Sequence, residues 1–194
     1  IKPFVTRFRT VFAKAFDVGY LDQQGQRQHV WMTSWGVSTR LIGGLILAHS
    51  DDKGLVLPPE IAPVQVVIVP IWKTADEQAA ISAACDALAT DLTRVGLRIH
   101  QDRRDFRTLG EKLYEWEKKG IPIRIEIGPR DLAASQAVVV RRDTQDKQTM
   151  VLTALLTLVP ELLNGMQTDL LATARERQRQ RTSTPKTYDE FKKL

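Results

Sequence analysis

Between Ile123 and Ile127 the residues alternate strictly, with Ile123, Ile125 and Ile127 on one side and Arg124 and Glu126 on the other. That period of two predicts a strand with a core face and an ionic face. Around it the pattern predicts strand, helix, strand, helix, strand: Val64 to Pro70, Asp76 to Val95, Arg98 to Asp102, Thr108 to Lys119, Ile123 to Ile127. The long helix carries Ile81, Ala84, Leu88, Leu92 and Val95 at three- and four-residue intervals and stops at Gly96. A further strand pair, Gln136 to Val140 and Gln148 to Val151, flanks Asp143-Thr144. The alternation of elements predicts an α/β fold, a mixed five-stranded sheet flanked by helices. Pro160 suits a first-turn position, so a helix is expected from there to about Arg181.

Before this block, Phe16 to Tyr20 and Gln28 to Thr33 read as a hairpin, and Ser38 to His49 has the apolar density of a buried helix. Leu57 to Pro63 is a proline-stiffened linker. The expected domains are residues 1–58, a linker at 59–63, a main domain at 64–181 and a tail at 182–194.

Composition narrows the function. The chain has 194 residues, 43% of them hydrophobic, enough for a real core. Its single cysteine, Cys85, lies among apolar residues at helical spacing, so neither a disulfide nor a Cys/His metal cluster is expected. No apolar run approaches a membrane span, and Ile1 to Val11 is too charged for a signal peptide; a cytoplasmic, membrane-free protein is expected. Net charge is +5, yet residues 64–151 hold 14 Lys and Arg against 13 Asp and Glu. Non-specific binding to polyanions needs a dominant basic surface. Any selectivity for RNA must therefore come from placed groups.

The βα junction Val69 to Glu77 contains no glycine, which excludes a dinucleotide fingerprint or a phosphate-cradling loop. His29, His49 and His100 lie on separate elements without triad or metal spacing. The charge-rich stretch Glu115 to Asp131 is more suggestive, because it sets acceptors beside donors as the edge of an unstacked base requires. Its bland counterpart is a cross-strand ion pair of Arg124 and Glu126 on a solvent face, worth roughly 0 to 1 kcal/mol. Arg103, Arg104 and Arg107 follow the second strand and either hold phosphates or form a solvated loop.

The run TSWGVSTRLIGGLILAHSDDKGLVLPP, Thr33 to Pro59, closely resembles the motif 3 region of prolyl-tRNA synthetases, of the type shared by archaea, eukaryotes and some bacteria. VQVVIVPIWK, the turn Asp102 to Asp105, GEKLYEWEKKGIPIRIEIGPRDL and VVVRRDT follow in the order of that family's anticodon-binding domain. The resemblance covers residues 12 to 194. It implies that residues 1–58 hold a hairpin and helix from the antiparallel class II catalytic sheet, and that residues 64–181 bind the anticodon. It assigns Ser38 and Arg40 to ATP, and Ser34, Trp35 and Gly36 to the proline pocket. It assigns Glu117, Arg124, Arg130 and Asp131 to the two guanines that end proline anticodons. Glu117 and Asp131 would accept from guanine N1 and N2, while Arg124 and Arg130 would donate to O6 or N7. Where the family often carries Phe, this chain has Leu113.

The implied reaction is ATP- and Mg²⁺-dependent charging of tRNA with proline. Motifs 1 and 2 and a Thr-Ser-His stretch are not found ahead of Phe12, and one motif cannot hold ATP, Mg²⁺ and proline in line. The chain is therefore expected to be inactive alone, to bind no cofactor tightly and no metal, and chiefly to recognise proline tRNA. A homodimer is also among the expected partners, since full-length relatives dimerise through their catalytic domains. The alternatives are a non-catalytic α/β module for RNA or protein, and one half of a split ligase.

Overall fold

The computed structural model describes residues 4–193, which fall into two compact units divided between Gly44 and Leu45. In the first, β1 (Phe4–Arg9) pairs antiparallel with β4 (Met32–Gly36), and β2 (Gly19–Leu21) pairs with β3 (Arg27–His29). A short helix, α1 (Val11–Ala15), follows β1. The hairpin thus spans fewer residues than its pattern suggests. Its turn is closed by Asp22, whose Oδ1 accepts from the backbone N–H groups of Gln24 and Gln26 at 3.0 and 2.8 Å. Helix α2 (Arg40–His49) forms where expected, but none of its residues is buried, so its apolar density is not core density.

The second unit is an α/β domain. It contains β5 (Val66–Pro70), α3 (Ala75–Arg94), β6 (Ile99–Gln101), α4 (Leu109–Lys118), β7 (Ile123–Ile127), α5 (Pro129–Ala133), β8 (Gln136–Arg141) and β9 (Lys147–Val151). Helices α6 (Leu155–Gln180) and α7 (Tyr188–Phe191) close the described chain. The sheet order is β6-β5-β7-β8-β9. β5 is parallel to β6 and β7, whereas β7–β8 and β8–β9 are antiparallel. A mixed five-stranded sheet is thus present.

Two apolar layers hold it. Val66, Ile68, Ile123, Ile125, Ile127 and Val139 pack beneath Ile81, Cys85, Leu88 and Leu92 of α3 and Leu155, Val159 and Leu163 of α6. On the opposite face Val67 and Val69 pack against Trp116 of α4 and Ile121. Helix α3 begins in a reciprocal capping box, with the Thr74 side chain accepting from Glu77 N and the Glu77 carboxylate accepting from Thr74 N. Helix α6 starts five residues before Pro160 and carries that proline inside it. The apolar spacing of Leu155, Val159, Leu163 and Met166 continues across it, and all four are buried. Packing of that stripe outweighs the one backbone bond that proline removes.

The proline-rich segment before β5 is held rather than free. Arg98 donates to the carbonyls of Ala62, Pro59 and Glu60 at 2.8, 2.8 and 3.0 Å. Leu55 N donates to Lys118 O and Leu57 N to Gly120 O, which ties the chain at 55–57 to the carboxyl end of α4. Glycines permit this crossing. A Cβ on Gly54 (φ +142°) would meet Lys118 Cα at 2.6 Å, and one on Gly120 (φ +70°) would collide with Leu55 O. No helix among the described residues is long and apolar enough to cross a membrane.

Candidate nucleic-acid interface

Arg124 and Glu126 do not lie on a solvent face. They project from β7 toward the α4 side of the sheet, and each side chain is only 12% exposed. Arg124 Nε donates to Glu126 Oε1 at 2.8 Å, so the pair is made two residues apart on one strand rather than across strands. The terminal amines of Arg124 make no hydrogen bond among the described residues. Arg124 shares a small cavity with Glu117, Trp116, Gln145 and Arg142. The enclosed space is about 10 Å³, room for a single water-sized group.

Glu117 is set in that cavity by the end of α4. Its Oε1 is buried without a hydrogen-bond partner, and Lys53 Nζ lies 3.7 Å away, an ion-pair distance. Its backbone carbonyl accepts from Arg142 Nε at 2.9 Å. The Lys53 ammonium offsets part of the cost of burying this carboxylate, whose Oε1 still lacks a hydrogen bond among the described residues. A hydrogen-bond acceptor and a cationic donor therefore meet at one concave point.

Arg130 and Asp131 lie elsewhere. They follow the far end of β7, on α5, and that end lies roughly 10 Å of strand rise beyond Arg124. Arg130 is exposed. Asp131 Oδ2 accepts from Gly128 N at 2.9 Å, so one oxygen is occupied in closing the first turn of α5. The structure thus brings Glu117 and Arg124 together and sets Arg130 and Asp131 at a second place.

The three loop arginines also point apart. Arg103 pairs with Asp86 at 2.6 Å and with Gln101, on the α3 side. Arg104 is committed inward, to Asp102 at 2.7 Å and Glu115 at 2.6 Å, and its guanidinium stands 5.7 Å from the Trp116 ring. Burial works to raise the Asp102 carboxyl, but the bonds from Arg104 and from Trp116 Nε1 (2.8 Å) hold it well below the usual carboxylate range. Lys119 and Arg104 likewise lower Glu115. Arg107 pairs with Glu111 at 3.1 Å and opens on a cleft of 120 Å³ with Trp72, Asp105 and Lys112.

In the first unit Ser34 and Gly36 lie on exposed β4, Ser38 before α2, and Arg40 at its first residue. Ser38 O accepts from Leu41 N at 3.0 Å. Arg40 is exposed and makes no hydrogen bond or ion pair among the described residues. Only the backbone of Trp35 is described, and its side chain lies outside the described residues. Among the described residues no three His, Cys, Asp or Glu side chains are grouped to hold a metal ion.

Sequence reasoning passed over Lys53, Lys112 and Arg142. Lys112 had a readable signal, since it sits four residues before Trp116 on the apolar stripe of α4. Arg142 had none, because its partners, Asp51 and the Glu117 carbonyl, are remote in sequence.

Residues 65–162 match the family described as Anticodon binding domain. The chain is also similar to Proline--tRNA ligase 2 of Clostridioides difficile (strain 630), 45% identical over 182 residues, 94% of this chain and 37% of that protein. It is 48% identical over 169 residues to the chloroplastic/mitochondrial proline--tRNA ligase of Arabidopsis thaliana, 84% of this chain and 31% of the relative. To the proline--tRNA ligase of Chloroflexus aggregans it is 48% identical over 184 residues, 93% of this chain and 38% of the relative. The chain thus spans between 31% and 38% of the length of these relatives.

Proposed function

The chain belongs to the anticodon-binding domain family, and on that premise we propose that it reads the anticodon of proline tRNA as part of an ATP-dependent proline–tRNA ligase. The observation that carries this reading is the meeting of Glu117 and Arg124 at one cavity, the first with a buried oxygen that is ion-paired to Lys53 but makes no hydrogen bond among the described residues. A guanine edge offers N1–H and N2–H₂ donors beside an O6 acceptor. Glu117 accepts from the former; Arg124 donates to the latter through its terminal amines. Arg130, exposed past the end of β7, and Asp131, with one oxygen still open, take the second guanine. Two separated places for two bases fit a strand splayed across the domain better than a single pocket would.

Charging itself belongs to the longer protein. Ser38 and Arg40 are the proposed ATP contacts, and Arg40, with no ion-pair partner among the described residues, has its guanidinium open to a nucleotide's base or phosphates. Ser34, Trp35 and Gly36 are the proposed border of the proline pocket. The described residues group no metal ligands, so Mg²⁺ enters no step derived from them.

The test is binding of the chain to anticodon stem-loop RNAs, read by fluorescence anisotropy. A loop with GG at its second and third anticodon positions should bind more tightly than loops with other bases there. Glu117→Ala and Arg124→Ala should each weaken GG binding by about 1–3 kcal/mol. Equal binding of all loops by the unmutated chain would overturn the reading.

A further inference from the structure

The cleft between the 102–108 loop and the amino end of α4 is lined by Trp72, Arg104, Asp105, Arg107, Leu109 and Lys112, with Pro70 and Ile71 behind them. Its cations differ in what they already do. Arg104 is spent on Asp102 and Glu115, and Arg107 is shared with Glu111. Lys112 is only 5% exposed, yet its side chain makes no hydrogen bond or ion pair among the described residues. Its Nζ stands 5.4 Å from the Trp72 ring centroid, which is its one recorded partner. Lysine is almost never this buried unless it is paired. A side chain nineteen-twentieths buried and aimed into a polar cleft points to an anion there.

The surroundings agree. Leu109 is the first residue of α4, and the N–H groups of a helix's first turn have no partner inside the helix. The Thr108–Glu111 capping box occupies two of the donors at this end. The positive end of the helix dipole then adds to Lys112, since Arg104 is already matched by Asp102 and Glu115 and Arg107 by Glu111, while Asp105 is the carboxylate that lines the cleft itself. The volume of 120 Å³ is several times that needed to seat one water and leaves room for a phosphate group.

We propose that this cleft is a phosphate subsite for the backbone of bound RNA, with Lys112 as the ionic partner and the Trp72 ring as its wall. It rests on the anticodon reading for the identity of the ligand, and adds a contact that is blind to base sequence. Glu117 and Arg124 read an edge; Lys112 holds a phosphodiester in register for them.

The test is the salt dependence of anticodon stem-loop binding by the chain and by Lys112→Met, which keeps a long apolar stem and removes the charge. Losing one phosphate contact should lower the slope of log K against log salt by about 0.7–1, equally for GG and non-GG loops. Lys112→Arg should retain the slope, and Glu117→Ala should lose GG preference without changing it. An unchanged slope in a Lys112→Met protein with native circular dichroism would overturn the proposal, and so would a changed GG preference at constant slope. Should Met unfold the chain, Lys112→Gln gives the same comparison. Pyrophosphate that binds the unmutated chain but not Lys112→Met, with RNA slopes identical in the two, would assign the cleft to a free anion and overturn the RNA source. If the unmutated chain shows no GG preference, the anticodon reading fails while the slope comparison still decides the cleft.

Discussion

Arg142 grips Asp51 across 91 residues of sequence, with Nη1 2.7 Å from Oδ2 and Nη2 2.6 Å from Oδ1. The same guanidinium reaches the Glu117 carbonyl through Nε. The 51–54 turn and the end of α4 are thus joined through one residue that is 4% exposed.

Arg142→Met removes all three bonds at once. Breaking a buried pair costs about 3–5 kcal/mol, and the 42% exposure of Asp51 reduces that here to about 2–3 kcal/mol. Urea unfolding measures it. RNA affinity should fall as well, because Glu117 loses its anchor.

Acid should reveal the same contact. The Arg142 hydrogen bonds hold the Asp51 carboxyl down at about 2 against burial, whereas an unfolded Asp titrates near 3.9. A depressed carboxyl stabilises the fold above the unfolded value and loses that contribution as pH falls through the folded one. Asp102 is displaced in the same direction. Melting temperature should therefore hold from neutral pH to about 5 and drop below about 4. Asp51→Asn, measured by the same thermal scans, should flatten the part of that drop between about 4 and 2.

Two glycine substitutions should have opposite signs. At Gly120→Ala the new Cβ collides with Leu55 O in a left-handed backbone, so a loss of about 2–4 kcal/mol is expected. Gly110 lies inside α4 with nothing within 4 Å of an added Cβ. Gly110→Ala should stabilise by about 0.5–1 kcal/mol. Denaturant midpoints compare them directly.

Arg130 and Asp131 should separate by readout. Asp131→Ala loses the bond to Gly128 N and about 0.5–2 kcal/mol of stability, whatever it does to RNA. Arg130→Ala should leave the melting curve unchanged and weaken GG-loop binding by about 1–2 kcal/mol. A melting shift for Arg130→Ala would contradict this division.

Local pattern made much of the fold legible. β7 runs from Ile123 to Ile127 as its alternation implies, because one buried face fixes its register. Helix α6 was misjudged at its start, since Pro160 is a local rule and the buried stripe from Leu155 to Met166 is a tertiary one. Helix α5 is five residues long, too short for a periodic signal. At the candidate site the residue types were readable and the distances were not. Strand spacing parts Arg124 from Arg130, and capping engages Asp131, while adjacency in sequence suggested one cluster. Lys112 hid inside an apolar stripe, where charge is usually discounted.

The close approach of the Gly54 and Lys118 backbones would, on the proposed reading, make the 51–54 turn a remote control on recognition. Nothing in that turn needs to touch a nucleotide to alter how one is read. A one-residue insertion there would shift the seat of α4 and swing the Glu117 carboxylate with it, so variants with unaltered reading residues could still change their preference among anticodons.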